Sequence, residues 1–139
     1  MIIRKVDNYF LIKVYQEEMV DFDVFDSEKI KDFFQDIFEK LGKKYQLKGL
    51  VDVDVYVNLD YGMIIEIHPI CDYFNEIDMN IHIHLGSVFL VEIDMNNLLD
   101  YEDVYYYKGK FYANYLGICD NEVFYKNTKD IIQHGIKIC

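Results

Sequence analysis

Apolar residues recur along this chain with two different periods, and each period predicts a different kind of element. Between residues 27 and 42 the spacing is helical, with charged residues on the opposite face. Asp26 or Ser27 suits the N-terminal cap, and Gly42 suits the C-terminal end. We therefore predict one long amphipathic helix that packs on a sheet. Its apolar stripe consists of Ile30, Phe33, Phe34, Ile37, Phe38 and Leu41.

Elsewhere apolar and polar residues alternate, which is typical of strands with one buried face. The alternating runs are 21–26, 51–59, 63–68, 77–84 and 88–94. Residues 2–6 and 9–15 are also predicted as strands, joined as a hairpin by Asp7-Asn8, because 9–15 is rich in residues that favour strands. Turns at 60–62 and 85–87 join the later runs. We read these runs as an antiparallel meander in which strands that follow one another in sequence pair with each other.

Three-residue turns keep every apolar side chain of this meander on the same face, because a slip of one residue would reverse the faces. A register that satisfies this condition then sets which polar side chains lie opposite one another. The resulting pairs are Asp54 with His68, Tyr56 with Glu66, Glu66 with His82, Asn80 with Glu92, and Asp78 with Asp94.

The last third of the chain is rich in tyrosine. Residues 104–107 and 110–115 flank Lys108-Gly109, a turn sequence typical of hairpins. Asp120-Asn121 predicts a further turn before a strand at 122–125. A short helix through His134, ended by Gly135, and a strand at 136–139 complete the chain. No linker or internal repeat interrupts the sequence, so we expect a single α+β domain over 1–139.

Composition narrows the classes of function. The chain has 139 residues, and its formal net charge is −11 at pH 7. A charge of this sign repels phosphate backbones and anionic membrane surfaces, so we expect no direct binding to nucleic acid or membrane. Three cysteines without CxxC spacing, together with an N-terminus unlike a secretory signal, favour the cytoplasm. The single Arg, Ala and Pro are typical of AT-rich genes, as in low-GC bacteria.

The predicted register gathers charged and polar side chains on one polar face of the sheet. The simplest interpretation is the ordinary solvated side of an antiparallel sheet. A second is a contact surface for a basic protein, since carboxylates there surround apolar anchors. The residues that this second interpretation proposes for binding are Asp52, Asp54, Tyr56, Glu66, His68, Asp78, His82, His84, Leu90, Glu92 and Asp94.

A third interpretation is catalytic. His82 and His84 point the same way on one strand, and with Glu66 and His68 they are ligand types suited to zinc or another divalent metal. The same groups suit acid–base chemistry. The sequence contains no phosphate-binding, zinc-protease, serine-hydrolase or EF-hand motif. We therefore predict a non-catalytic module for a basic protein partner, without a cofactor, and keep the small enzyme as the alternative.

The tyrosine-rich segment has two interpretations. Cross-strand packing within a hairpin explains it, with each aromatic pair contributing about 0.2–1 kcal/mol. Because tyrosine is also enriched at interfaces, a homodimer through this segment stays open.

Overall fold

The computed structural model of the protein describes residues 1–19, 22–72, 76–114 and 123–138. The chain divides into two compact units, Met1–Leu85 and Gly86–Cys139. Among the described residues, each unit forms its own five-stranded sheet and one α-helix. The α+β class is thereby confirmed, whereas the single domain expected from the sequence stays a prediction.

The first unit is built from five strands and one long helix. Its elements are β1 (Ile2–Val6), β2 (Tyr9–Tyr15), a 3-10 helix (Gln16–Met19), α1 (Ser27–Tyr45), β3 (Gly49–Asn58), β4 (Gly62–Cys71) and β5 (Ile77–Leu85). The strand order is β1-β2-β4-β3-β5. Every neighbouring pair is antiparallel except β3 and β5, which are parallel.

The core of this unit lies between α1 and one face of the sheet. The predicted stripe supplies the fully buried Phe34, Ile37, Phe38 and Leu41 from the helix. Alternate residues of the strands, such as Val53 of β3, meet them from the sheet. Side chains also become buried on the opposite face, namely Lys13, Ile64 and Glu66. The polar face predicted from the sequence is therefore only partly exposed.

The long helix begins as predicted and ends later than predicted. The Asp26 side chain accepts hydrogen bonds from the backbone N–H groups of Glu28 and Lys29. Gly42 does not end the helix, which continues to Tyr45. Gln46 forms the C-cap in the left-handed conformation, and its N–H donates to the Gly42 carbonyl.

The short strand predicted for residues 21–26 is wrong for the part that the structure describes, residues 22–26. The Asp23 side chain accepts a hydrogen bond from the Phe25 N–H at 2.9 Å, and the Asp26 N–H donates to the Asp23 carbonyl at 3.1 Å. These bonds form a turn, because an Asp side chain that bonds its own local backbone competes with a strand ladder.

The pairing predicted beyond β3 requires three corrections. The turn between β3 and β4 occupies residues 59–61, so Asp54 pairs with Glu66 and not with His68, a shift of two residues that preserves the faces. β5 pairs with β3 in parallel and does not pair with β4. The predicted meander therefore does not continue from β4 to β5. The strand that pairs with β4 where we expected residues 77–84 is β2.

The second unit contains the tyrosine-rich segment. Its elements are β6 (Leu90–Ile93), a 3-10 helix (Met95–Asp100), β7 (Val104–Tyr107), β8 (Lys110–Asn114), β9 (Val123–Phe124), α2 (Thr128–His134) and β10 (Ile136–Lys137). Its strand order is β10-β7-β8-β6-β9. The predicted turn at Asp120-Asn121 lies outside the described residues.

The predicted hairpin of β7 and β8 is confirmed. Lys108 and Gly109 both have positive φ, at 48° and 81°, as a two-residue hairpin turn requires. The Tyr106 and Phe111 rings pack across the hairpin with centroids 5.1 Å apart. Cross-strand packing therefore accounts for at least part of the aromatic cluster.

Candidate functional site

Three strands of the first unit carry most of the predicted binding residues on the sheet face opposite α1. The central strand β3 contributes Asp52, Asp54 and Tyr56, flanked by β4 with Glu66 and His68 and by β5 with Asp78, His82 and His84. Asp54 occupies the middle, with Glu66 as its partner on β4 and His82 as its partner on β5. The sequence thus predicted the common face of these eight residues, although it paired them differently.

Side chains of β3 and β5 contact one another on this face of the sheet. His84 Nε2 lies 3.1 Å from Asp54 Oδ1, and the Asn80 amide donates to Asp52 Oδ1 at 3.4 Å. The His84 ring also stacks on Tyr56. These contacts join side chains across the parallel strand pair, on the solvent-accessible side of the sheet.

A second histidine–carboxylate pair lies on β4 and differs in burial. Glu66 is 1 % exposed, and its Oε1 lies 2.9 Å from His68 Nε2. The His68 side chain is 40 % exposed, and its ring stacks on the Tyr9 ring of β2 with centroids 4.8 Å apart. Because Glu66 is inaccessible, it does not contribute a contact carboxylate to the surface.

The strand that carries Leu90 and Glu92, with Asp94 directly after it, is not part of this sheet, which corrects the predicted pairing of residues 77–84 with 88–94. These three residues lie in the second unit, because β6 pairs with β8 and β9 and not with β5. Leu90 is fully buried in that unit, and Glu92 lies 3.6 Å from the ammonium of Lys110. β6 belongs to a second sheet, in which the consecutive residues Leu90 and Val91 are both buried.

Charge is concentrated where β3 and β5 run side by side. Asp52 and Asp54 are half-buried, whereas Asp78 is exposed. We call these three carboxylates the acidic face. Neither β3 nor β5 contains a lysine or arginine that would neutralise it.

The metal interpretation finds no support in the arrangement of donor groups. Within the described ranges, no group of three or more His, Cys, Asp or Glu side chains is placed to hold a metal ion. His68 and His84 each contact a different carboxylate, and they lie on strands separated by β3. A zinc site needs ligands that converge on one point.

Two residues that contact this face were not among the residues proposed for binding. The predicted register placed Asn80 on the face, opposite Glu92, but its neutral amide gave no reason to propose it for binding. Tyr9 was not identifiable, because its contact with His68 depends on β2 lying beside β4.

Comparison of the chain with protein families, with curated proteins and with solved structures yields no match. Among the helices that the described residues form, none is long and apolar enough to cross a bilayer.

Proposed function

We propose that the protein is a non-catalytic binding module that presents the acidic face of its first sheet to a basic protein partner. The observation that supports this most directly is the acidic face itself, three carboxylates on adjacent strands without a lysine or arginine. Such a surface attracts cationic groups and accelerates encounter with a basic partner. We also propose that the protein is located in the cytoplasm.

Aromatic and amide groups beside the carboxylates suit a protein partner. The half-buried Tyr56 and the exposed His84 form a stacked pair next to Asp54. Tyrosine is enriched at interfaces because its ring supplies contact area with little loss of conformational entropy. Carboxylates alone would attract any cation. Carboxylates next to aromatic rings suit a partner, either a folded protein or a peptide, whose surface carries both positive charge and apolar contact area.

The test begins with a partner that is captured, identified and then purified. Its affinity is measured by titration calorimetry at several salt concentrations, against the wild-type protein and two variants. The first variant carries Asp52→Asn, Asp54→Asn and Asp78→Asn. The matched control removes three exposed carboxylates of α1 by Glu28→Gln, Asp32→Asn and Asp36→Asn, which changes the net charge by the same amount.

We expect the first variant to bind about tenfold or more weakly than the control, and affinity to fall as salt rises. Equal weakening by the two variants would contradict the proposal, because only the total charge would then matter. Salt-independent binding, or failure to retain any basic protein, would contradict it as well.

A further inference from the structure

The outer edge of β5 has no strand partner among the residues that the structure describes, since β5 is last in the strand order. β5 is nine residues long and runs without a register shift beside β3. An unpaired edge of this kind presents a row of backbone N–H and C=O groups that can accept another strand.

The two edges of this sheet differ in their protection. β1, the opposite edge, has five residues, and two of them, Arg4 and Lys5, are exposed. Short length and exposed lysine or arginine side chains are among the means by which proteins prevent strand addition at an edge. β5 contains no lysine, arginine or proline. The protection present at one edge of the sheet is therefore missing at the other.

A groove of about 760 Å³ runs beside this edge, between β5 and α1. Gly42 of α1 lines the groove, and because glycine has no side chain, nothing projects from the helix into the groove at this position. Apolar side chains form much of its lining, namely Phe38, Leu47, Ile77, Met79 and Ile81. An added strand would direct alternate side chains into this groove.

The charges around the groove are unequal. Glu39, Glu76 and Asp78 line it together with a single cation, Lys31. Within the described part of the chain, none of these four side chains forms an ion pair. The groove therefore offers apolar contacts and an excess of unpaired carboxylates.

We infer that the edge of β5 binds an extended segment of the basic partner by strand addition, with apolar residues in the groove and basic residues toward Asp78. This inference rests on the proposed function and specifies how the partner is recognised. Main-chain hydrogen bonds to β5 would supply affinity, and the alternation of apolar and basic side chains would supply specificity. A second copy of this chain is a poorer occupant, because each copy carries a charge of −11.

The probe is a short fluorescent peptide in which lysine alternates with valine or isoleucine. One control peptide has the same composition with its lysines and apolar residues in separate blocks, and another has glutamate in place of lysine. We expect the alternating peptide to bind about tenfold more tightly than either control. Chemical-shift changes in an NMR titration should concentrate in β5 and in the groove-lining residues of α1.

Gly42 provides a matched pair of variants. A Cβ atom built there meets only the Leu47 carbonyl oxygen, at 3.8 Å, so a side chain is accommodated without backbone strain. Gly42→Phe should fill the groove and weaken peptide binding about tenfold. Gly42→Ala should leave peptide affinity within about twofold of wild type, which controls for the change in helix propensity.

The outcomes separate this inference from the proposed function. A partner whose binding depends on the acidic face but is unchanged by Gly42→Phe would overturn the strand-addition site and leave the proposed function intact. Peptide binding that Gly42→Phe abolishes, but that Asp52→Asn with Asp54→Asn and Asp78→Asn does not weaken, would contradict the proposed function instead. Equal binding of all three peptides, or dimerisation that Gly42→Phe abolishes, would also overturn the inference.

Discussion

The His84 ring lies nearly parallel to the Tyr56 ring, with centroids 4.6 Å apart and an interplanar angle of 10°. This stack is a direct consequence of the parallel register, which sets Tyr56 opposite His84. It links the edge strand β5 to β3 on the side of the sheet that carries the acidic face. The stacked pair therefore helps to hold the edge strand in place.

We predict that His84→Ala lowers the free energy of unfolding by about 1 kcal/mol, because it removes both the stack on Tyr56 and the contact with Asp54. Urea denaturation measures the change. His82→Ala is the matched control, since His82 is exposed on the same strand and the same face. We expect the control to remain within about 0.5 kcal/mol of wild type. Equal losses in the two variants would contradict a specific role for the His84 contacts.

The buried carboxylate of Glu66 gives a second prediction. Glu66→Ala should destabilise the protein by about 2–4 kcal/mol, because it leaves a cavity and removes the partner of His68. Asp78→Asn, at an exposed carboxylate on the same sheet, should change stability by no more than about 0.5 kcal/mol. Both are measured by chemical denaturation. A Glu66→Ala variant as stable as wild type would show that the His68 contact adds nothing to the fold.

Alternation and helical spacing explain why much of this fold was predictable. The stripe of Phe34, Ile37 and Leu41 identified the helix and its buried face, and Val53 and its neighbours identified the core face of β3. The face predicted for each residue of β3 and β4 is correct even though the predicted pairing of these strands is not, because a shift of two residues leaves every side chain on its own face. The common face of Asp54, Glu66 and His82 was therefore predictable.

The choice of strand partners was not predictable from these patterns. Alternation specifies which face a residue occupies, but it does not specify which strand lies beside it. β2 and β5 both satisfy the pattern required of a neighbour of β4, and tertiary packing selects β2. For the same reason Glu92 could not be assigned to a second sheet from its alternation alone. The burial of Glu66 was also not predictable from the sequence, since a carboxylate in an alternating strand normally faces water.

Gly62 gives a third prediction, at the start of β4. Its φ is +133°, and a Cβ atom added there would collide with the backbone carbonyl oxygen of Val14 on β2. Gly62→Ala should therefore cost about 3 kcal/mol, from backbone strain together with displacement of β2.

Gly86 is the control for this prediction. It also has positive φ, at +66°, but an added Cβ meets nothing within 4 Å. Gly86→Ala should cost only about 1 kcal/mol, from backbone strain alone. Chemical denaturation of both variants measures the difference, and equal losses would contradict a close approach of β2 to Gly62.

The last prediction concerns pH and rests on Glu18, in the 3-10 helix that follows β2. Burial acts to raise the pKa of Glu18, but hydrogen bonds from the Met1 ammonium and the Tyr15 N–H, with attraction to that ammonium and to Lys40, outweigh it. The pKa of Glu18 is therefore lowered from its ordinary value of 4.5. Its carboxylate lies 2.6 Å from the ammonium and 3.1 Å from the Tyr15 nitrogen.

A carboxyl group whose pKa is lower in the folded state stabilises the protein above its unfolded pKa, and this contribution disappears as pH falls through the folded pKa. Glu18→Gln should therefore lower stability at pH 7 by up to about 1 kcal/mol, a modest effect because the side chain is partly solvated. The difference from wild type should shrink as pH falls below 4.5. Urea denaturation at a series of pH values measures it, with the exposed neighbour Glu17→Gln as control. A difference that stays constant with pH would show that Glu18 acts through packing and not through its charge.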